Sequence, residues 1–526
     1  GAVDSITTGD YNVGVGDTAL SATTSGHRNS AFGYQAMVDN TTGYYNSAIG
    51  YQSLANNTTG AENTAVGWSS LLTNVSGGNN TAVGSVALYA NTGSSNTAIG
   101  MRCMADNTTG NYNTATGAYA LNANTTGANN TANGYQALYS NTTGTHNDVF
   151  GYNAMYDNTT GGDNSALGSY ALQNNTTGSR NISIGYASSN ENTTGTKNVA
   201  VGMYALKSNT VNHYNTAIGY AALQSSDAYD NTAVGYYAML SNIGGDYNTA
   251  VGSWALSSNT TGSHNVAFGQ ATLGNNTSGS TNTAFGKEAL RSNTTASANT
   301  ATGYSALYTN TTGYHNTALG YMSLYSNTTA AGNTAVGYYS LHSSTGTDNT
   351  ATGKDSLYSN TSGGFNAAFG RSAMRQNTTG QYNSAFGQNA MYQNTSGYQN
   401  VAVGSHSMMN NTTGYNNTTT GYVSMYLNTT GANNTAYGKN ALYSNTTGNE
   451  NTAFGYVALD TCSTGSSNAA FGKNALGAVS TGGNNTGLGI NTGDNITTGT
   501  GNIVIGFNVD APSATASNQL NIGNWI

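Results

Sequence analysis

The sequence predicts an all-β fold, a parallel β-solenoid or β-roll of about 31 coils, each coil one 17-residue repeat. Three observations predict it. A glycine recurs 31 times from Gly16 to Gly523, at 27 spacings of seventeen residues and three of sixteen. Asparagine stands four residues before that glycine in 30 of the 31 copies, with Gln519 the exception. Leucine or methionine stands four residues after it in 27 of the 30 copies that extend so far. Fixed self-similarity at so short a period means one structural turn per repeat, stacked into a solenoid.

The first element is a strand over Asn-Thr-Ala-Val-Gly. Its asparagines, such as Asn46, Asn63, Asn80, Asn113, Asn130 and Asn147, are expected to stack at the ~4.8 Å strand spacing and pass amide hydrogen bonds from coil to coil. Alanine two before the glycine, in 24 of 31 copies, and a small residue three after it let the backbone layers approach closely. The leucine column, including Leu54, Leu71, Leu88, Leu121 and Leu138, supplies the core. Each such side chain contributes roughly 1.5–3 kcal/mol on burial. The segment carrying it reads as extended or as a 3₁₀ or α turn, because seven residues are too few for periodicity to choose. Asn-Thr-Thr-Gly, as at Asn40 to Gly43, closes the coil with turn chemistry.

The three sixteen-residue coils, ending at Gly100, Gly235 and Gly353, test these placements. The missing residue falls in the turn, as in Asn91-Thr-Gly-Ser-Ser-Asn96, where it leaves strand register intact. The expected organisation is a lead-in over 1–11, a solenoid shaft over 12–480 and a frayed cap over 481–526. Gly493 and Asp510 break the leucine column in that cap, and Gly487 and Val504 the alanine column. At ~4.8 Å per coil the shaft would be a rod of about 150 Å. One large apolar side chain per coil is a thin core, so three chains around a common axis are favoured over a self-sufficient monomer.

Composition excludes several functions. Charged residues make up 6% of the 526, and the net charge is −8, so the basic stripe that nucleic acid requires is missing. Glycine does not fall at every third residue and Pro512 is the one proline, which excludes collagen. No run of 18 apolar residues predicts a membrane span. The chain starts at Gly1 rather than methionine, as expected of a processed chain or a fragment.

No residue pattern points to catalysis, cofactor or metal. His27, His146, His213, His264 and His315 fall in the turn before the asparagine column, and His342 and His406 sit elsewhere and alone. No group of them converges on one point as metal ligands must. Asp227 with Asp230, and Asp348 with Asp355, are the nearest acid pairs, in variable columns without the cleft that glycoside hydrolysis requires. Cys103 and Cys462 read as filler.

Tyrosine is the informative excess, at 38 copies. One set follows the leucine column directly, and within it Tyr139 and Tyr156, Tyr308 and Tyr325, and Tyr426 and Tyr443 should stack on adjacent coils. These amphipathic rings are candidates for contact with a glycan or a partner chain. Threonine files raise ice binding as an alternative, against which the bulky tyrosines count.

Units such as Asn46-Ser-Ala-Ile-Gly-Tyr-Gln-Ser-Leu54 followed by Asn-Thr-Thr-Gly resemble repeats of bacteriophage tail-fibre-like proteins. The stretch Asn518-Gln-Leu-Asn-Ile-Gly-Asn-Trp-Ile526 resembles the segment that precedes an endosialidase-type intramolecular chaperone in such fibres. Asn-Ser-Ala-Ile-Gly is also similar to the head repeats of trimeric autotransporter adhesins, whose repeats are shorter. The resemblance implies a trimer, assembled by a chaperone that is then cleaved away, located on a virion tail or cell surface. It implies a structural fibre shaft that holds a receptor-binding tip; adsorption of surface glycans is a second expectation, drawn from the tyrosine columns. The alternative is an ice-binding or self-assembling extracellular filament. No catalytic residue of the family's enzymes has a counterpart here.

Overall fold

The computed structural model describes residues 8–523, so residues 1–7 of the expected lead-in and 524–526 of the expected cap lie outside it. The chain forms two compact units, divided between His264 and Asn265. Each is a β-solenoid of parallel three-residue strands, with no helix among the described residues. The first unit stacks fifteen strands, from β1 (Val13–Val15) to β15 (Thr249–Val251). The second stacks sixteen, from β16 (Val266–Phe268) to β31 (Leu520–Ile522).

Register follows the repeat. β4 (Thr64–Val66) pairs with β5 (Thr81–Val83) as Thr64↔Thr81, Ala65↔Ala82 and Val66↔Val83. The short coils keep it, since β5 meets β6 (Thr97–Ile99) as Thr81↔Thr97 and Ala82↔Ala98 across a sixteen-residue step. The same holds for Thr216↔Thr232 and Thr334↔Thr350. The lost residue lies in the turn each time, where no side chain has a face to change.

Strand alternation decides what is inside. In Thr-Ala-Val the alanine points into the coil and is fully buried, as Ala65, Ala82 and Ala98 are, while its two neighbours face outward. The lumen is completed by the small residue and the leucine that follow the marker glycine. Leu54, Leu71, Leu88, Leu121 and Leu138 are all at 0% exposure, which places the core where the periodicity put it.

The leucine segment is neither extended nor helical. It is a turn in which two alternate residues are left-handed: Gln52 at φ 53° and Leu54 at 54°, Gln136 and Leu138 both at 54°. Core leucines and methionines throughout adopt φ near +50°, a region that costs an L-residue roughly 1–2 kcal/mol. Burial of the side chain offsets that cost. The twist also lets the backbone bond both ways, with Gln52 N donating to Tyr34 O at 2.9 Å and Leu54 N to Ser70 O at 2.9 Å.

Two asparagine ladders line the lumen. In the expected one, Asn63 N and Nδ2 donate to Asn46 Oδ1 at 2.9 and 3.1 Å, and Nδ2 also reaches Gly77 O at 2.9 Å. Asn113, Asn130 and Asn147 repeat the pattern, Asn147 N and Nδ2 lying 3.0 and 3.1 Å from Asn130 Oδ1. The second ladder is built from the asparagine of Asn-Thr-Thr-Gly, read from sequence only as a turn residue. Asn57 Nδ2 donates to Asn40 Oδ1 at 2.7 Å and to Gly60 O at 3.0 Å, and Asn57 is fully buried.

Both ladders end in recognisable ways. Gln519 N donates to Asn502 Oδ1 at 2.8 Å, but its longer side chain turns back to Ser513 O and Ala516 O in its own coil. The second ladder gives way to Cys462, Val479 and Ile496, all at 0% exposure. It is also interrupted at Ser226 and Ser344, in two of the short coils. The carbonyl oxygens of Asn209, Asn327 and Asn445, each one coil below an interruption, are buried and unpartnered.

Candidate functional site

The three tyrosine pairs stack as their spacing predicts. Ring centroids are 5.0 Å apart for Tyr139 and Tyr156, 5.2 Å for Tyr308 and Tyr325, and 5.3 Å for Tyr426 and Tyr443, with planes within 7° of parallel. All six rings are half-buried. Within a pair each ring covers one face of the other, so a column offers chiefly edges and hydroxyls to the outside, one per coil.

Tyr443 pairs with Tyr426 as its spacing predicts, and the file stops there. Its ring is half-buried, and Tyr426 stacks on one face of it. In the next coil the same offset, directly after Leu459, is held by Asp460, and Ser444 N donates to Asp460 O at 2.9 Å across the step. Burial pushes the Asp460 carboxyl above its usual range. A carboxyl cannot continue a stack of rings, so Tyr443 ends a file only two rings long. Nor do the six tyrosines form one site. Tyr139 and Tyr156 belong to the first unit, and Tyr426 and Tyr443 stand seven coils along the second from Tyr308 and Tyr325.

The Tyr308 column is longer than the sequence suggests. Arg291 Nη1 donates to Tyr308 Oη at 2.9 Å, Tyr325 stacks on His342 at 5.3 Å, and His342 on Tyr358 at 5.0 Å. Arg375 lies over Tyr358 at 5.1 Å. His342, expected to sit alone, is therefore an integral member of an aromatic file. Burial among these rings pushes its imidazole below the ordinary range. His406 is also engaged, its Nε2 lying 3.1 Å from Asn389 Nδ2.

A second aromatic file stands directly after the marker glycine. Tyr304, Tyr321 and Tyr338 stack at 5.3 and 5.2 Å. Tyr34 with Tyr51, and Tyr135 with Tyr152, repeat the arrangement at 5.3 and 5.4 Å. These rings are more exposed than the predicted set, at 39–46%. The signal for them was present in the sequence as tyrosine at a fixed offset of one. Tyrosines flanking the turn stack as well, Tyr398 on Tyr415 at 5.0 Å and Phe365 on Tyr382 at 5.0 Å.

The remaining chemistry-bearing residues serve the coil. Asp227 Oδ1 accepts from Asn212 Nδ2 at 2.6 Å and Thr210 Oγ1 at 3.2 Å, closing the turn of a short coil. Burial pushes the Cys103 thiol up to about 12 and that of Cys462 up to about 11, the opposite of what a nucleophile needs. One acid pair was not anticipated. Asp494 and Asp510 lie together beside Asn491 and Asn508, and burial first, then Asp510, raises the Asp494 carboxyl above its usual range. Asn474 Nδ2 donates to Asp494 Oδ2 at 2.9 Å. Among the described residues no three His, Cys, Asp or Glu side chains gather as metal ligands. Among them, too, no helix is long and apolar enough to cross a membrane.

No protein-family model and no curated protein matches this chain.

Proposed function

We propose that the protein is the structural shaft of an extracellular fibre, of the tail-fibre or adhesin kind, that holds a receptor-binding tip away from its base. The observation that carries this reading is the invariance of the coil. Most repeats make the same ladder bonds and bury the same leucine or methionine, so such a coil adds length without changing cross-section. The shaft self-associates, as a trimer or filament, and adsorbs surface glycans through the hydroxyl edges of its tyrosine files. It performs no catalysis.

Removing residues 118–202, five whole coils, tests the spacer role. Electron micrographs should show the assembly shortened by about 24 Å at ~4.8 Å per coil. An unchanged length would exclude it. Glycan-array binding should be lost in a Tyr308→Ala, Tyr325→Ala variant or in Tyr304→Ala, Tyr321→Ala. Binding that survives both would count against the adsorbing role.

One observation favours a second reading. Thr81, Thr97, Thr114 and Thr131 face outward on successive coils, a regular hydroxyl row of the kind that orders water. Thermal hysteresis with faceted ice crystals would establish ice binding, and its absence would dismiss it.

A further inference from the structure

The outer face of the strands is apolar along both units. The residue just before the marker glycine is Val, Ile, Leu, Phe or Tyr in 26 of 31 strands, and none of the 31 is buried. The five others are Thr116, Asn133, Thr302, Thr352 and Thr420. Among the outward strand positions of the described chain, Asp148 carries the one charge. Phenylalanines pile into files here too, Phe268 on Phe285 and Phe369 on Phe386, both at 5.0 Å.

We infer that a second copy of this chain docks on this outer strand face, row against row. The inference names the face for the self-association proposed above and rests on that part of the reading, not on the glycan-adsorbing role. Three features select the occupant. The exposed members of the column retain 36–53% of their surface, which for side chains of roughly 150–250 Å² amounts to about 600–1,200 Å² per unit, on the scale of the ~800 Å² per partner of a standard stable interface. The rows repeat once per coil, so a partner meets every rung only if it carries rows of the same spacing, as a second copy does. The near absence of charge removes both steering toward a charged partner and repulsion between identical faces.

The test is the solution mass of the full chain and of two variants. Ile49→Lys, Phe150→Lys, Phe285→Lys and Phe386→Lys together place four charges on the strand face without touching the lumen. Thr59→Lys, Thr160→Lys, Thr295→Lys and Ser396→Lys place the same charges on exposed turn positions of the same coils. The wild type and the turn variant should sediment at two or three times 53.7 kDa, and the strand-face variant as a monomer, with affinity reduced at least ~100-fold. Far-UV circular dichroism should be the same for all three. A monomeric wild type, with or without activity on ice, overturns the inference, as does a strand-face variant that keeps the wild-type mass.

If the lysine variant fails to fold, cysteines decide the matter. Ile99→Cys should cross-link between copies with a short bismaleimide, and Thr126→Cys should not. The reverse pattern, or no cross-link at either, overturns the inference. Monomers that still bind glycans would separate this face from the adsorbing one. A wild-type oligomer with no glycan signal would sink the adsorbing role alone.

Discussion

Each asparagine of the lumen supplies acceptor and donor to two neighbours, so the effect of its loss is not local. In Asn130→Ala, Asn147 loses both bonds to Asn130 Oδ1, and Gly144 O loses the nearer of its two donors, keeping Asn141 Nδ2 at 3.1 Å. Buried groups left unpaired cost about 1–3 kcal/mol each, so a denaturant melt should show a loss in or above that range. The reverse change is available at the interrupted ladder. Asn91, in the first short coil, keeps the contact, its Nδ2 donating to Asn74 Oδ1 at 3.4 Å. Ser344→Asn should likewise pair the unpartnered Asn327 Oδ1 and raise stability by about 0.5–1.5 kcal/mol. A destabilised Ser344→Asn would mean that the short turn has no room for the amide. Glycine at the marker is needed for space as well as for conformation. Gly50 has φ 138°, and a Cβ there would lie 2.3 Å from Gly67 O. Gly50→Ala should therefore cost more than the ~1–3 kcal/mol of backbone strain alone.

At the scale of elements, the aromatic file through His342 makes stability depend on pH. Its folded pKa lies below the ordinary 6.5, so the unfolded chain binds the extra proton. The ring's contribution is complete above pH 6.5 and is lost as pH falls from there toward the folded value. His342→Tyr would continue the file from Tyr325 to Tyr358 and remove that dependence. Urea midpoints measured at about pH 7.5 and about pH 5 should differ less in the variant than in the wild type.

Strand, first ladder and leucine core were legible because each occupies a fixed offset. The left-handed leucine turn was not, since intrinsic preference argues against φ near +50° for a bulky side chain and only the closed coil imposes it. The second ladder was hidden because Asn-Thr-Thr-Gly satisfies turn preferences on its own. The apolar outer row was hidden for another reason. In Thr-Ala-Val the larger apolar residue faces out and the small alanine faces in, the reverse of the usual sign of a buried strand face. His342 escaped notice because its file is otherwise tyrosine, and a histidine continues the stack by shape rather than by type. The short file at Tyr443 is the opposite case, since Asp460 at the next offset already marks its end in the sequence.

At the scale of a whole unit, stability is close to a sum over coils and their nearest-neighbour contacts. Excising residues 118–134, one full coil, should leave circular dichroism and cooperative melting almost unchanged, because Gly117 and Ala118 are replaced by an equivalent junction. Excising residues 118–125 should abolish cooperative melting, since it sets a strand against a turn. Comparable melts for the two deletions would mean that the coils are not held by register.

The ladders run in one direction. In every bonded pair the amide oxygen of the earlier coil accepts and the nitrogens of the later coil donate, so side-chain dipoles align head to tail, as peptide dipoles do in a helix. Each ladder is therefore electrically polar along its stacking direction, with partial positive charge toward the lower residue numbers and negative toward the higher. In the second unit, Gln519 folding back and the apolar run Cys462, Val479 and Ile496 bring those two chains of dipoles to a close. A coil carrying asparagines in their place would present bare acceptors there, and would invite further coils to add.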